Sequence, residues 1–336
     1  MTKANLNEIY LSLNKNVEKV FVVPKIKYHS PETDYLYRLY FDMLNSPESK
    51  IKVESFSVFA HPLIFLKFAA QRKAVLHYHW FEVQDIKSLA GIFWKLIWII
   101  LYKIIGGKIV WTVHNKYPHT VNFKSFNKTI RKFMASLADK LLVHCSAAID
   151  IMTDVLNVRR DKFSIVEHPD FSAHIFDRAE AEKQFNQKYG LGINSSDRIF
   201  LMFGQIASYK GILECAGIFS GLEKNKKLII AGAAKKGNLE YFSKLKNICD
   251  NSENIILIDK IIPESEVPIF FNLADYVIFN YNQVLTSGGI ILALNYNKKI
   301  IAPKIGCIPG IKSENILLFD KSNSSESELH KLLKNT

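Results

Sequence analysis

Apolar residues recur along this chain in short runs, separated by polar stretches of helical periodicity. Residues 20–23, 51–58, 74–78, 108–113, 140–143 and 163–166 read as strands. Helical patterns fall between them, as across 34–44 and 63–71. A polar, charged stretch then runs from Glu167 to about Asp197 and holds a charged helix at 179–189. Beyond it the alternation restarts. Residues 199–203, 227–231, 254–258, 276–279, 299–301 and 316–319 read as strands, with helices at 211–222, 238–249, 264–273, 288–295 and 325–334. Repeated strand–helix alternation predicts an α/β chain with parallel sheets covered by helices on both faces. The 336 residues suit two domains, 1–170 and 171–336, with the charged stretch leading from one to the other. The expected architecture is two Rossmann-like domains facing a cleft. Ligands of such sheets bind beyond the strand C-termini, so the strand-to-helix turns hold the candidate chemistry.

Composition narrows the partners. Hydrophobic residues make up 48% of the chain, which excludes a disordered protein. The formal net charge of +12 favours an anionic partner, such as nucleic acid, an acidic membrane or a phosphorylated substrate. The cations are dispersed, without an arginine-rich arm or zinc-finger spacing, so nucleic acid is not expected. Cys145, Cys215, Cys249 and Cys307 match neither a disulfide framework nor a zinc motif and read as small buried side chains. The N-terminal residues show no apolar signal-peptide core, which predicts a cytoplasmic location.

Two turns stand out. The strand at 276–279 runs into a polar loop, Asn280-Tyr281-Asn282-Gln283, and then into Thr286-Ser287-Gly288-Gly289 at the start of an apolar helix. Hydroxyls and glycines at a helix start make either an ordinary cap or an anion site. Backbone N–H groups and the helix dipole face an incoming phosphate there. A second turn, 204–211, opens with Gly204 and ends in Lys210-Gly211. Lys210 is placed to neutralise a diphosphate, and Asn282 to bond sugar hydroxyls. In the first half, Trp111-Thr112-Val113-His114 ends a strand, and His77-Tyr78-His79 ends another. His114 can orient an acceptor, whereas His119 is the weaker candidate. His77 and His79 share one strand face, but no third ligand has metal spacing, so no metal site is expected. Glu82 and Asp85 are the carboxylates nearest that turn and the candidates for taking a proton from an acceptor hydroxyl. His29 lies in the turn after the first strand.

These residues resemble the GT-B glycosyltransferases of the broad family 4-like group, over nearly the whole chain and best in its C-terminal half. Gly204-Gln205…Lys210-Gly211 looks like the group's phosphate-contacting turn, Ala274-Asp275 like the residues before its donor-site strand, and Trp111–Asn115 like its acceptor-facing strand end. The resemblance implies a transferase that moves a sugar from a nucleotide-sugar to a glycan or lipid-linked acceptor in surface polysaccharide synthesis. Gly204, Lys210, Asn282, Thr286, Ser287, Gly288 and Gly289 would hold the donor. Glu82, Asp85 and His114 would serve catalysis, and His29, His79 and His119 the acceptor. The donor is a substrate, and no cofactor is implied. The chain lacks the group's usual pair of glutamates flanking the donor helix; Val284 and Leu292 stand there, which puts the usual retaining chemistry in question. The alternatives are a non-catalytic GT-B protein that binds a glycan, lipid or partner, and a nucleotide-sugar epimerase.

The stretch 88–105 has nearly the length of a membrane span, but Lys95 and Lys103 interrupt it. Trp94, Trp98 and Tyr102 fall on one helical face. It is either a crossover helix packed on the sheet or a helix lying in the inner membrane surface with those aromatics inward. The second reading makes the protein peripheral on the cytoplasmic membrane.

Overall fold

The structure, a computed structural model, describes residues 4–83, 86–117, 123–235, 239–321 and 328–336. The chain divides into two units, Met1–Pro169 and Asp170–Thr336. The first holds a six-stranded sheet of Lys19–Val23 (β1), Lys52–Ser55 (β2), Ala74–His79 (β3), Lys108–Thr112 (β4), Lys140–Val143 (β5) and Phe163–Ile165 (β6), in the order β2-β1-β3-β4-β5-β6. The second is built from Arg198–Phe203 (β7), Lys226–Ala231 (β8), Ile255–Ile258 (β9), Tyr276–Ile278 (β10), Lys299–Pro303 (β11) and Ile316–Phe319 (β12), in the order β12-β11-β10-β7-β8-β9. The pairings are parallel, as in β7 against β8, where Arg198 faces Lys226 and Phe203 faces Ala231. Helices connect successive strands, so each unit is Rossmann-like, as the alternation predicts.

Side-chain alternation along the strands builds a core on each face of the second sheet. Ile199 and Leu201 of β7 enter one apolar cluster, and Phe200 and Met202 enter the other. Both faces are covered, which is why the strands read as continuous apolar runs. Cys215 and Cys249 are buried thiols in this core.

Three expectations change. The single helix expected at 34–44 is two short ones, Tyr35–Leu39 and Phe41–Asn45. Tyr40 breaks them at φ −101°, ψ 10°, and its buried hydroxyl reaches His77 and His79. The helix Leu6–Leu13 was not anticipated, although its capping box of Asn5 and Glu8 stands in the sequence. The aromatic face proposed for the membrane is turned inward at Trp98 and Tyr102 and exposed only at Trp94. In the helix Ile86–Ile104, Tyr102 is buried and donates to the Ala74 carbonyl at 3.2 Å, and Trp98 packs on Phe65. Among the described residues no helix is long and apolar enough to cross a membrane.

Asp275 ties the second sheet to the helix that leads into it. Its carboxylate accepts from Ile199 N at 2.7 Å, at the start of β7, and from Arg178 Nη1 at 2.6 Å, in the helix Arg178–Tyr189. Asp275→Ala leaves both donors without this partner. The expected loss is about 2–4 kcal/mol, read as a lowered denaturant midpoint with unchanged slope.

Candidate functional site

In both sheets the strand order reverses once. In the second unit the chain lays down β7, β8 and β9 in one direction, then returns to place β10 on the other side of β7. The connections leaving β7 and β10 therefore diverge, and a crevice opens at their C-terminal ends. The two turns singled out in the sequence are these two connections.

The glycines let the two turns meet. Gly204 leaves β7 at φ +89°, and a Cβ there would lie 3.1 Å from the Lys210 ammonium, which curls back over it. Lys210 Nζ donates to the Phe203 carbonyl at 3.1 Å. Gly211 sits at φ +61°, and a Cβ on it would fall 2.3 Å from the Asn280 carbonyl oxygen. Any side chain there would push the two turns apart. Asn280 Nδ2 donates to the Gly211 carbonyl at 2.9 Å, Asn282 N to the Tyr209 carbonyl at 2.7 Å and Asn282 Nδ2 to the Ser208 carbonyl at 3.2 Å. The rings of Tyr209 and Tyr281 lie parallel, 6.1 Å apart. Asn282 thus joins the two turns.

Ser287 caps the helix Gly288–Asn295. Its Oγ accepts from Ile290 N at 3.3 Å and is 2.9 Å from the Tyr281 hydroxyl. The capping reading is therefore met at Ser287. Gly289 answers a packing need, since a Cβ on it would come 2.9 Å from the Phe279 ring. Lys210, Phe279 and Tyr281 line a small cavity with Met202, Phe203, Ile212 and Ile278. Burial among these apolar walls lowers the Lys210 ammonium to about 8. A poorly solvated cation beside a helix start favours a bound anion.

Two charged residues escaped the sequence reading. Glu214, in the first turn of the helix Ile212–Phe219, accepts from Asn280 Nδ2 at 2.9 Å and lies 3.6 Å from Lys321 Nζ. Lys321, just past β12, donates to the Asn280 carbonyl at 3.0 Å. Neither has a local motif; Glu214 follows shortly after Gly211, and the sheet order brings Asn280 and Lys321 to it. Val284 is buried, and Leu292 packs against the core, so those two positions are apolar in the structure too.

In the first unit the order reverses between β1 and β3. The ends of β3, β4 and β5 gather a cluster of histidines and tyrosines. His77 Nδ1 faces the hydroxyls of Tyr40 at 2.5 Å and Tyr10 at 2.7 Å, and its Nε2 is 2.8 Å from Thr112 Oγ1. His79 Nε2 is 3.1 Å from the Tyr40 hydroxyl, and its Nδ1 is 3.1 Å from His114 Nε2. His144 Nε2 reaches the Tyr35 hydroxyl at 2.9 Å. Burial lowers His77 to about 3 and His144 to about 4, and holds His79 and His114 well below the usual imidazole range. The rings are therefore neutral at pH 7. With its partners, His79 is buried under the site, whereas His114 is half-buried at its rim. Among the described residues no group of three or more His, Cys, Asp and Glu is arranged to hold a metal.

Trp80, which the sequence reading passed over, follows β3 at φ +47°. Its ring stacks on His114 at 4.6 Å and 14°, and 40% of the residue is exposed. A bulky residue rarely holds a positive φ, and such strain concentrates at functional sites. Glu82 accepts from Asn115 Nδ2 at 3.1 Å, and Arg131 donates to the Asn115 and Lys116 carbonyls nearby. His29 is exposed in the turn after β1. Asp85 and His119 lie outside the described residues.

Neither a family model nor a curated protein sequence matches this chain. Solved structures do. Anabaena HepE in complex with UDP superposes with a TM-score of 0.65 at 14% identity, over 95% of this chain and 89% of that one. A glycosyltransferase from Rickettsia africae gives 0.62 at 15% identity, over 94% and 87%. The catalytic domain of Arabidopsis thaliana starch synthase IV, bound to ADP and acarbose, gives 0.59 at 12% identity, over 83% and 69%. With its two parallel six-stranded sheets, this chain has the two-domain fold of the GT-B glycosyltransferases.

Proposed function

We propose that this protein is a glycosyltransferase that moves a sugar from a nucleoside diphosphate sugar to a lipid-linked glycan in surface polysaccharide synthesis, without a metal. The observation that carries the reading is the pairing of the two glycine turns at the β7/β10 reversal, with the Lys210 ammonium between them. The fold likeness to HepE, solved with UDP and with UDP-glucose, supports such a donor.

In this reading the donor diphosphate sits over Gly204 and against the start of the helix Gly288–Asn295. Negative charge grows on the diphosphate as the glycosidic bond breaks, and Lys210 and the helix dipole stabilise it. The acceptor sugar rests on the exposed face of Trp80, beside His114 and His29. Its hydroxyl gives its proton to a base as the new bond forms. Glu82 and Asp85 are the carboxylate candidates, and His114 orients the hydroxyl. The protein works at the inner face of the cytoplasmic membrane, where lipid-linked acceptors are extended.

The test is release of nucleoside diphosphate from UDP-, GDP- or CDP-sugars in the presence of a lipid-linked acceptor and a chelator. Acceptor-dependent release supports transfer. The apolar residues at 284 and 292 favour a second reading, a non-catalytic GT-B protein; it predicts binding of the acceptor with no release.

A further inference from the structure

Three helices of the first unit lie side by side. Phe65 and Phe68 of the helix His61–Gln71 meet Trp98 and Tyr102 of the helix Ile86–Ile104, at 5.7 and 4.4 Å between ring centres. On its other flank, Phe93 meets Phe126 of the helix Lys124–Leu137 at 5.9 Å. The middle helix buries Ile92, Ile99 and Tyr102. It turns Phe93, Ile97, Ile100 and Ile104 outward, at the i, i+4, i+7, i+11 spacing of one helical stripe. Ile104 is 72% exposed, and Phe59 and Leu66 on the neighbouring helix and its leading turn are 81% and 63% exposed. A contiguous apolar face of this kind marks a contact surface.

Charge identifies what it contacts. Between Ile86 and Ala138 the sequence holds nine Lys and Arg residues and no Asp or Glu; Lys103 and Lys108 pair with Asp139 just beyond, and Arg131 is buried. Lys124 and Lys128 are exposed along the third helix, beside the apolar stripe. A second copy of this chain would bring the same positive charge against itself in a two-fold contact, and like charges there are repulsive. An anionic bilayer answers both features: its acyl boundary takes the apolar stripe and its headgroups take the lysines.

We propose that the outer face of the helices His61–Gln71 and Ile86–Ile104, bordered by the basic helix Lys124–Leu137, seats on an anionic lipid bilayer. Of the aromatic stripe of Trp94, Trp98 and Tyr102 that periodicity picks out, Trp94 alone is exposed; Tyr102 is buried and Trp98 half-buried. The proposal rests on the peripheral placement put forward above, and its test separates the two.

The experiment is co-sedimentation of the full chain with vesicles of phosphatidylcholine alone and of phosphatidylcholine with phosphatidylglycerol. The variants are Phe93→Ser/Ile97→Ser/Ile104→Ser and Lys124→Glu/Lys128→Glu. Their thermal unfolding is followed as a control for folding, and Ile97→Ser/Ile104→Ser, at exposed positions, replaces the triple variant if loss of the Phe93–Phe126 contact lowers its midpoint. Wild-type protein is expected on the phosphatidylglycerol vesicles, with partitioning at least about tenfold weaker in each variant. If the folded variants bind as well as wild type, this face is overturned and peripheral placement stands. If wild-type protein binds neither vesicle, both fall. Equal binding to both vesicles overturns the anionic specificity.

Discussion

Lys210→Ala is expected to lower kcat/KM for the nucleotide-sugar by about 100–1,000-fold, the range seen when one preorganised charge-stabilising group is removed. The side chain has little structural work to lose, because its bond is to the carbonyl of Phe203. Removing a poorly solvated ammonium relieves a desolvation penalty, so the melting temperature should hold or rise. The pH dependence has a definite sign. The folded ammonium titrates at about 8, against 10.5 for an ordinary lysine. Between those values the unfolded chain binds more protons than the folded one, so this group makes the ligand-free protein more stable as pH rises. Diphosphate binding requires the charged form. Affinity for UDP should therefore fall as pH rises through 8, by up to about tenfold per unit, and the fall should vanish in Lys210→Ala. Turnover by the variant equal to wild type would remove Lys210 from the donor site.

The first unit should be acid-labile. His77 and His144 titrate at about 3 and 4 when folded, and His61, buried against Tyr78, at about 4. All three are depressed by burial, so the folded state keeps them neutral while the unfolded chain takes up protons near pH 6.5. Below that pH the unfolded state binds more protons, and stability is lost as pH falls. Each histidine contributes about 1.4 kcal/mol per unit, down to its folded value. Three acting together remove about 4 kcal/mol per unit, enough to unfold an ordinary domain between about pH 5 and 4. All four tryptophans, Trp80, Trp94, Trp98 and Trp111, lie in this unit, so selectively excited tryptophan fluorescence reports on it alone. An acid transition in that signal is expected near pH 5. A flat signal down to pH 4 would mean that the histidines are not held neutral.

The alternation of apolar runs made the fold legible. A strand buried on both faces needs apolar residues throughout, and β7 and β8 are written that way. The two glycine turns were legible for a related reason. Gly204 and Gly211 take positive φ and admit close neighbours, and a glycine in a strand-to-helix turn announces that need. The histidine cluster was only half legible. His77 and His79 looked like a possible metal pair, and what settles their role is Tyr10 and Tyr40, distant in sequence. Trp80 and Glu214 left no local signal. One is placed by an unusual backbone angle, and the other meets Asn280 only through the pairing of β10 with β7. The sequence left two readings of the helix Ile86–Ile104 open, because only its neighbours decide which side is covered: Trp98 and Tyr102 pack inward, whereas Trp94 is exposed.

The central claim is a nucleoside diphosphate site at the β7/β10 reversal, and calorimetric titration of the full chain with UDP, GDP and CDP, in chelator, tests it most directly. The expected result is saturable binding of one of them, with proton uptake at pH 8 as Lys210 becomes charged, both lost in Lys210→Ala. Binding of none of the three, or binding unchanged in the variant, would contradict the account.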